Sequence, residues 1–179
     1  MLGQLLTQWT IRLALALYVA WLAGWLCTRG PRWAVVARWL WTAGCVLFLV
    51  HVACAFQFYH HWSHAAAWED TAEQTQALLG VAFGNGIYFS YVFLVLWVLD
   101  VLWMWSVADP LKTPWPRVLV HLLLFFIAFN GAIVFEAGPT RPAGIVACLA
   151  LAVLAIRAAY LVWRSKETVP QAAFPTPDS

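Results

Sequence analysis

Long apolar runs separated by short polar breaks organise this sequence. Five such runs alternate with segments rich in charged residues, glycine and proline, and they cover residues 5–27, 33–58, 79–106, 118–136 and 143–163. Each run is close to the roughly 20 residues that an α-helix needs to cross about 30 Å of hydrocarbon. The pattern predicts an all-α fold, a polytopic membrane helix bundle with five transmembrane helices.

Helices are required here, because backbone groups in lipid must bond within their own segment or within a closed barrel. The runs are continuous rather than alternating over about ten residues, which excludes a β-barrel. We therefore expect one transmembrane domain over residues 1–164. Prolines are frequent after Ser165, and we expect residues 165–179 to form a disordered cytoplasmic tail.

A polar segment between the second and third runs carries its own helix signals. Asp70 and Thr71 each precede a Glu or Gln by three residues, which is the capping-box pattern. Gly80 suits a helix C-terminus. These signals predict a short outer interfacial helix over residues 71–79.

Composition agrees with a membrane protein. Hydrophobic residues make up 64% of the chain and charged residues 10%, whereas soluble domains are nearer 45–50% and about 25%. The natural partner for so apolar a surface is the lipid bilayer, where the 13 tryptophans suit the interfaces. A net charge of +2 gives no indication of nucleic acid binding.

The N-terminus and the cysteines support the same class. Residues 1–9 contain no basic side chain, so the first run is interpreted as a retained span rather than a cleaved signal. The four cysteines all lie inside apolar runs without a CxxC pair. We interpret them as packing residues.

The distribution of lysine and arginine predicts the orientation. Six basic residues fall on one side of the predicted bundle, namely Arg29, Arg32, Lys112, Arg117, Arg164 and Lys166. Arg141 alone falls on the other side. The positive-inside rule then places the C-terminus in the cytoplasm and the N-terminus outside. Short loops and the lack of a transit signal favour a bacterial inner membrane.

A buried polar pair is predicted near the inner ends of two spans. Asp100 lies about 10 Å inward of its span's centre and His121 about 9 Å inward of its own. The two spans are consecutive and antiparallel, so the side chains can meet. Arg38 and Arg157 fall at similar depth and are alternative partners. The cluster is either an ion pair that fixes packing or a proton-handling site of a small proton-coupled transporter.

Histidines and carboxylates predicted on the outer side form a candidate metal site. His60 and His64 share one face if the second helix continues, with His61 beside them. Glu73 and Glu136 are predicted on the same side of the membrane. Imidazole and carboxylate ligands suit a transition metal such as Zn, Fe, Cu or Mn. The alternatives are an interfacial band of polar aromatic residues and a pH sensor.

Haem is a less favoured cofactor. His51 lies in hydrocarbon outward of its span's centre, and His121 lies inward, about 16 Å apart in depth. The axial ligands of one haem must face each other across the iron at equal depth. This pair therefore cannot hold one haem within a single chain, and His51 would need an outer histidine, another ligand type or a second subunit.

Asn85 and Tyr88, at the start of the third run, are predicted to line an outer pocket with His51 and the histidine cluster. Gly84 and Gly86 flank Asn85 and allow close backbone approach. Tight helix packing with satisfied polar groups is the alternative explanation for these residues.

Function is predicted only as a class. No Walker A loop, GxSxG elbow or HExxH motif occurs, and a non-enzymatic role is favoured. The leading hypothesis is a small membrane subunit or scaffold with an outer-facing His/carboxylate pocket, whose partners are other membrane subunits or further copies of itself. The alternatives are a metal- or haem-binding redox protein and a small proton-coupled transporter.

Overall fold

The structure is a computed structural model that describes residues 2–28, 30–108, 115–130 and 140–167. Within those ranges the chain is helical and contains no strand, as predicted. The α-helices are α1 (Leu2–Cys27), α2 (Pro31–Ala55), α3 (His64–Leu79), α4 (Ile87–Ser106), α5 (Trp115–Phe129) and α6 (Thr140–Glu167). A π-helical turn, Phe56–His60, extends α2, and a 3-10 turn, Gly84–Gly86, precedes α4.

Four of the helices are long and apolar enough to cross a membrane. They cover Leu2–Cys27, Pro31–His60, Gly84–Ser106 and Arg141–Leu161. The described part of the predicted fourth span is a shorter apolar helix, Arg117–Phe129, and residues 131–136 of that span lie outside the described ranges. The fold is therefore that of a multi-pass helical membrane protein with at least these four candidate spans.

Among the described helices, α1 and α2 form the most extensively packed pair. The chain reverses between them at Gly30, which has a φ of 134°, a value that suits glycine. Pro31 then occupies the first turn of α2, where its missing N–H leaves no helical hydrogen bond unmade. Around this hairpin, α6 contacts α1, α4 contacts α2, and α5 contacts α4.

An aromatic core holds these helices together. Trp21, Trp41 and Trp97 are at most 1% exposed, and the ring centroids of Trp21 and Trp41 are 4.4 Å apart. Lipid tails are as apolar as these rings, so packing and polar contacts, rather than the hydrophobic effect, must hold the bundle together. Aromatic pairs of this kind contribute about 0.5–1.5 kcal/mol each beyond the area that they bury.

A glycine in α2 makes room for this core. A Cβ at Gly44 would lie 2.9 Å from Cζ2 of Trp97, which is closer than carbon atoms normally approach. The small residue lets the indole of α4 lie directly against the α2 backbone. Gly44 therefore sets how closely the two helices approach.

The outer helix begins earlier than the sequence predicts. Helix α3 starts at His64 rather than at residue 71, because Ser63 acts as its N-cap and accepts a hydrogen bond from the Ala66 amide at 3.2 Å. The capping boxes at Asp70 and Thr71 were therefore the wrong start signal. The predicted C-terminal glycine is confirmed, since Gly80 ends the helix with a φ of 74°.

Two other boundaries also differ from the prediction. The third span was expected from residue 79, but α4 begins at Ile87 because the preceding apolar residues form a turn and the 3-10 segment. Helix α6 continues to Glu167, so residues 165–167 of the predicted tail are helical. The remainder of that tail, residues 168–179, lies outside the described ranges.

Candidate functional site

The carboxylate of Asp100 is buried in the bundle and accepts two hydrogen bonds from one side chain. Arg117 donates to it through Nε at 2.8 Å from Oδ1 and through a terminal nitrogen at 3.1 Å from Oδ2. Asp100 is 6% exposed and Arg117 5% exposed. This is a buried, bidentate ion pair between α4 and α5, the geometry in which an arginine–carboxylate pair is strongest.

Aromatic side chains enclose the arginine. Its guanidinium carbon lies 4.5 Å from the ring centroid of Trp103 and 6.0 Å from that of Trp21. The ring faces provide a cation–π attraction that is larger when the cation is desolvated. The pair thus connects α5 to a tryptophan on α4 and to another on α1.

His121 lies one helical turn beyond Arg117 and shares its face of α5. Its Nε2 is 3.7 Å from Oδ2 of Asp100, which is too long for a direct hydrogen bond. The imidazole stacks on Trp21 with a centroid separation of 4.8 Å and meets Trp41 edge-on at 5.2 Å. The structure therefore places the predicted polar pair side by side, inside the aromatic core.

The cation that binds Asp100 was not among the predicted partners. Arg38 instead donates to the Val107 carbonyl at 2.6 Å, at the C-terminus of α4, and Arg157 is exposed on α6. From the sequence, Arg117 is assigned to the basic residues that set the orientation, not to the partners of Asp100. Arg117 lies four residues before His121 and therefore on the same face of the helix that follows the segment after Asp100. This spacing is the sequence signal that identifies Arg117 as a partner of Asp100.

The outer histidines do not lie on one continuous helix. His61 and Trp62 adopt positive φ values of 48° and 59°, so the chain turns after the π-helical segment and restarts at His64. The assumption that His60 and His64 share a helix face is therefore wrong. Two consecutive non-glycine residues in the left-handed region are uncommon and mark a tightly determined turn.

Each outer histidine has a different environment. His64 Nδ1 shares a hydrogen bond of 2.9 Å with the Tyr91 hydroxyl, and its ring lies 5.8 Å from that of Tyr88. His60 packs against Phe56, with 5.6 Å between ring centroids. His61 is exposed in the turn.

The predicted metal ligands are not brought together among the described residues. Glu73 is exposed on α3. Within the described ranges no three His, Cys, Asp or Glu side chains are grouped as a metal ion would require. Glu136 lies outside those ranges, so the full predicted ligand set stays a prediction.

Polar contacts join the segment before α4 to α3. Trp68 donates to the Asn85 side chain at 3.1 Å, and its indole covers Gly84, where a Cβ would lie 2.3 Å from the ring. The buried hydroxyl of Thr75 accepts from the Phe83 amide at 2.7 Å. The predicted pocket residue Asn85 therefore belongs to the packing between α3 and α4, whereas Tyr88 is half exposed and reaches α3 through its ring contact with His64.

His51 lies apart from this outer group. Its Nδ1 is 2.9 Å from the Thr7 carbonyl of α1. A carbonyl can only accept, so Nδ1 carries the proton in this bond. The contact joins α1 to α2 and is the interhelical polar bond expected of a histidine in a span.

Taken together, these features define a helical membrane protein. The buried cluster of Asp100, Arg117 and His121 lies toward one end of α4, and α3 packs against the other end. Comparisons of the chain with protein-family models, with curated proteins and with solved structures found no match.

The Thr75 contact gives a test of how the outer segment is held. Thr75→Val keeps the shape but leaves the Phe83 amide without its acceptor, at a cost of about 1–3 kcal/mol. We expect faster amide hydrogen exchange over residues 80–86 and at the end of α3. Exchange within α1 should be unchanged.

Thr71→Val is the matched control, because the Thr71 hydroxyl bonds only to the Ala67 carbonyl within its own helix. It should leave exchange at residues 80–86 close to that of the wild type. Equal acceleration in the two variants would show that the Thr75–Phe83 bond does not hold this segment.

Proposed function

We propose that this chain is a non-enzymatic membrane subunit or scaffold with five transmembrane helices. The observation that carries the proposal is that its polar side chains bond to neighbouring parts of the same chain. Asp100, Arg117, His51 and Thr75 each bond to a neighbouring helix or loop. Side chains that join elements in this way stabilise an architecture, whereas a catalytic site needs groups directed at a shared space.

The bidentate pair also supports this role over that of a proton-coupled transporter. A carboxylate that carries protons must exchange its partners during the cycle. Both oxygens of Asp100 are engaged by Arg117, which supports a structural role for this carboxylate. Five spans without an inverted repeat also favour a subunit over an independent transporter.

The proposed orientation places the outer segment away from the cytoplasm. Because Arg117 is buried in the bundle, it is no longer counted among the basic residues that determine the orientation. Five of the original six basic residues remain on the inner side against Arg141 on the outer side, which is still a clear bias. We propose a bacterial inner-membrane protein with its N-terminus outside and its C-terminus in the cytoplasm.

The outer platform, defined here as α3 and residues 80–83, is the surface proposed to meet a partner subunit. Leu79 and Val81 are 61% and 64% exposed although they adjoin a span. Glu69 and Glu73 are exposed on the same platform. A contiguous apolar patch rimmed by charged groups is the pattern expected of an interaction surface.

Site-specific photo-cross-linking in native membranes tests this role. A cross-linking residue in place of Glu73 should give one discrete protein adduct, because the platform is expected to contact a partner subunit. The matched position is Val153, which is 64% exposed on α6 and is expected to contact lipid and give no protein adduct.

An adduct of the chain with itself would identify the partner as a further copy. If Glu73 gave no protein adduct and the protein migrated as a single chain in native gels, the subunit proposal would fail.

A metal- or haem-dependent redox protein is the second candidate. It is favoured by one feature, namely that His60, His61 and His64 all lie at the turn between the π-helical segment and α3. Imidazoles so close in sequence can converge on one ion after a modest rearrangement. Zn, Fe and Cu are the metals that this donor set suits.

Metal and haem content of the detergent-purified protein separates the two candidates. The subunit proposal expects no stoichiometric metal and no Soret band. About one metal per chain, lost in the His60→Ala, His64→Ala double variant, would replace it with the second candidate. The control is His51→Ala, which leaves all three outer histidines intact.

A further inference from the structure

The aromatic core contains an unusual concentration of buried polar atoms without a protein partner. Among the described residues, the Tyr18 hydroxyl, both ring nitrogens of His121 and the indole nitrogens of Trp21, Trp41 and Trp97 are buried and make no hydrogen bond. Buried polar groups almost always have a partner, and an orphaned group costs about 1–3 kcal/mol.

These atoms belong to one cluster. Tyr18 lies 5.4 Å from Trp41 and 5.7 Å from Trp97 between ring centroids. Trp41 in turn meets Trp97 at 5.0 Å and His121 at 5.2 Å. These orphaned groups therefore lie together in the aromatic cluster beside the Asp100–Arg117 pair, whereas the other described atoms of this kind, such as Trp33 Nε1 and Arg38 Nε, lie outside it.

Ring faces can satisfy only part of this set. An indole N–H can donate to the face of a neighbouring ring, and several faces are near. A neutral imidazole, however, also has one nitrogen that accepts. A ring face cannot donate to that nitrogen, so His121 needs an O–H or N–H group from elsewhere.

The distance between His121 and Asp100 indicates what that group is. Nε2 of the histidine and Oδ2 of the carboxylate are 3.7 Å apart, which exceeds a hydrogen bond but brings both atoms within about 2.8 Å of one common oxygen. Two polar atoms farther apart than about 3.5 Å can be joined by a water that bonds to both of them. A small neutral molecule that both donates and accepts can serve the carboxylate, the imidazole and an indole N–H together.

We propose that the core around Asp100 and His121 is an intramembrane water site. At least one ordered water bridges the carboxylate to the imidazole and accepts from an indole N–H of Trp21 or Trp41. Arg117 keeps the carboxylate in place from the other side. This proposal is independent of the subunit role, because it concerns the interior of the chain rather than its partners.

Water-edited solid-state NMR of the ¹⁵N-labelled full chain in lipid bilayers tests the site. Magnetisation transferred from water at short mixing times should reach a His121 ring nitrogen and the indole N–H of Trp21 or Trp41. Exposed His61 is the positive control. No transfer to either core signal while His61 receives it would overturn the proposal.

Substitution of the histidine sharpens the test. His121→Phe keeps a ring against Trp21 and leaves the ion pair intact, but it removes the accepting nitrogen that holds the water. Transfer to the indoles should be lost in this variant and kept in His51→Phe. Unchanged indole transfer in His121→Phe would contradict a water held by His121, and the wild-type spectrum remains decisive if either variant fails to fold.

Discussion

The buried ion pair of Asp100 and Arg117 is the interaction that fixes where α5 packs against α4 and α1. In hydrocarbon, helices gain little from the hydrophobic effect, so specific contacts must keep them together. A single buried charge would cost several kcal/mol, and each member of the pair makes the other tolerable. Because Arg117 also rests on tryptophan faces, α5 is joined to the aromatic core through the same side chain.

The all-helical fold could be predicted because the lipid that surrounds the apolar runs requires helices. An apolar run of spanning length must be helical in lipid whatever its detailed sequence, and α1, α2, α4 and α6 lie within or around the predicted runs. Boundaries outside hydrocarbon were less predictable. The α3 start depends on whether Ser63 or Asp70 caps the helix, and both are good N-cap residues.

The candidate site was only partly predictable from the sequence. The depth of a residue in the membrane follows from its position along a helix, whereas the direction of its side chain around the helix axis is harder to derive. Depth and the short loop predict that Asp100 and His121 are neighbours, and His121 Nε2 lies 3.7 Å from Asp100 Oδ2. The cation was missed because a basic residue beside a span is ordinarily explained by topology, and nothing in composition separates Arg117 from Arg32. The arrangement of His60, His61 and His64 differs from the predicted continuous helix because the chain turns at His61 and Trp62 with positive φ values. The residue types at these two positions give no indication of such a turn.

A double-mutant cycle on the ion pair tests the account most directly. Unfolding free energies would be measured in mixed micelles for Asp100→Leu, Arg117→Met and the double variant. Each single change should cost about 3–5 kcal/mol, because it leaves an uncompensated buried charge, and the double variant should recover most of that loss. Single variants as stable as the wild type, or losses that simply add in the double variant, would contradict the claim that each member of this buried pair compensates the charge of the other.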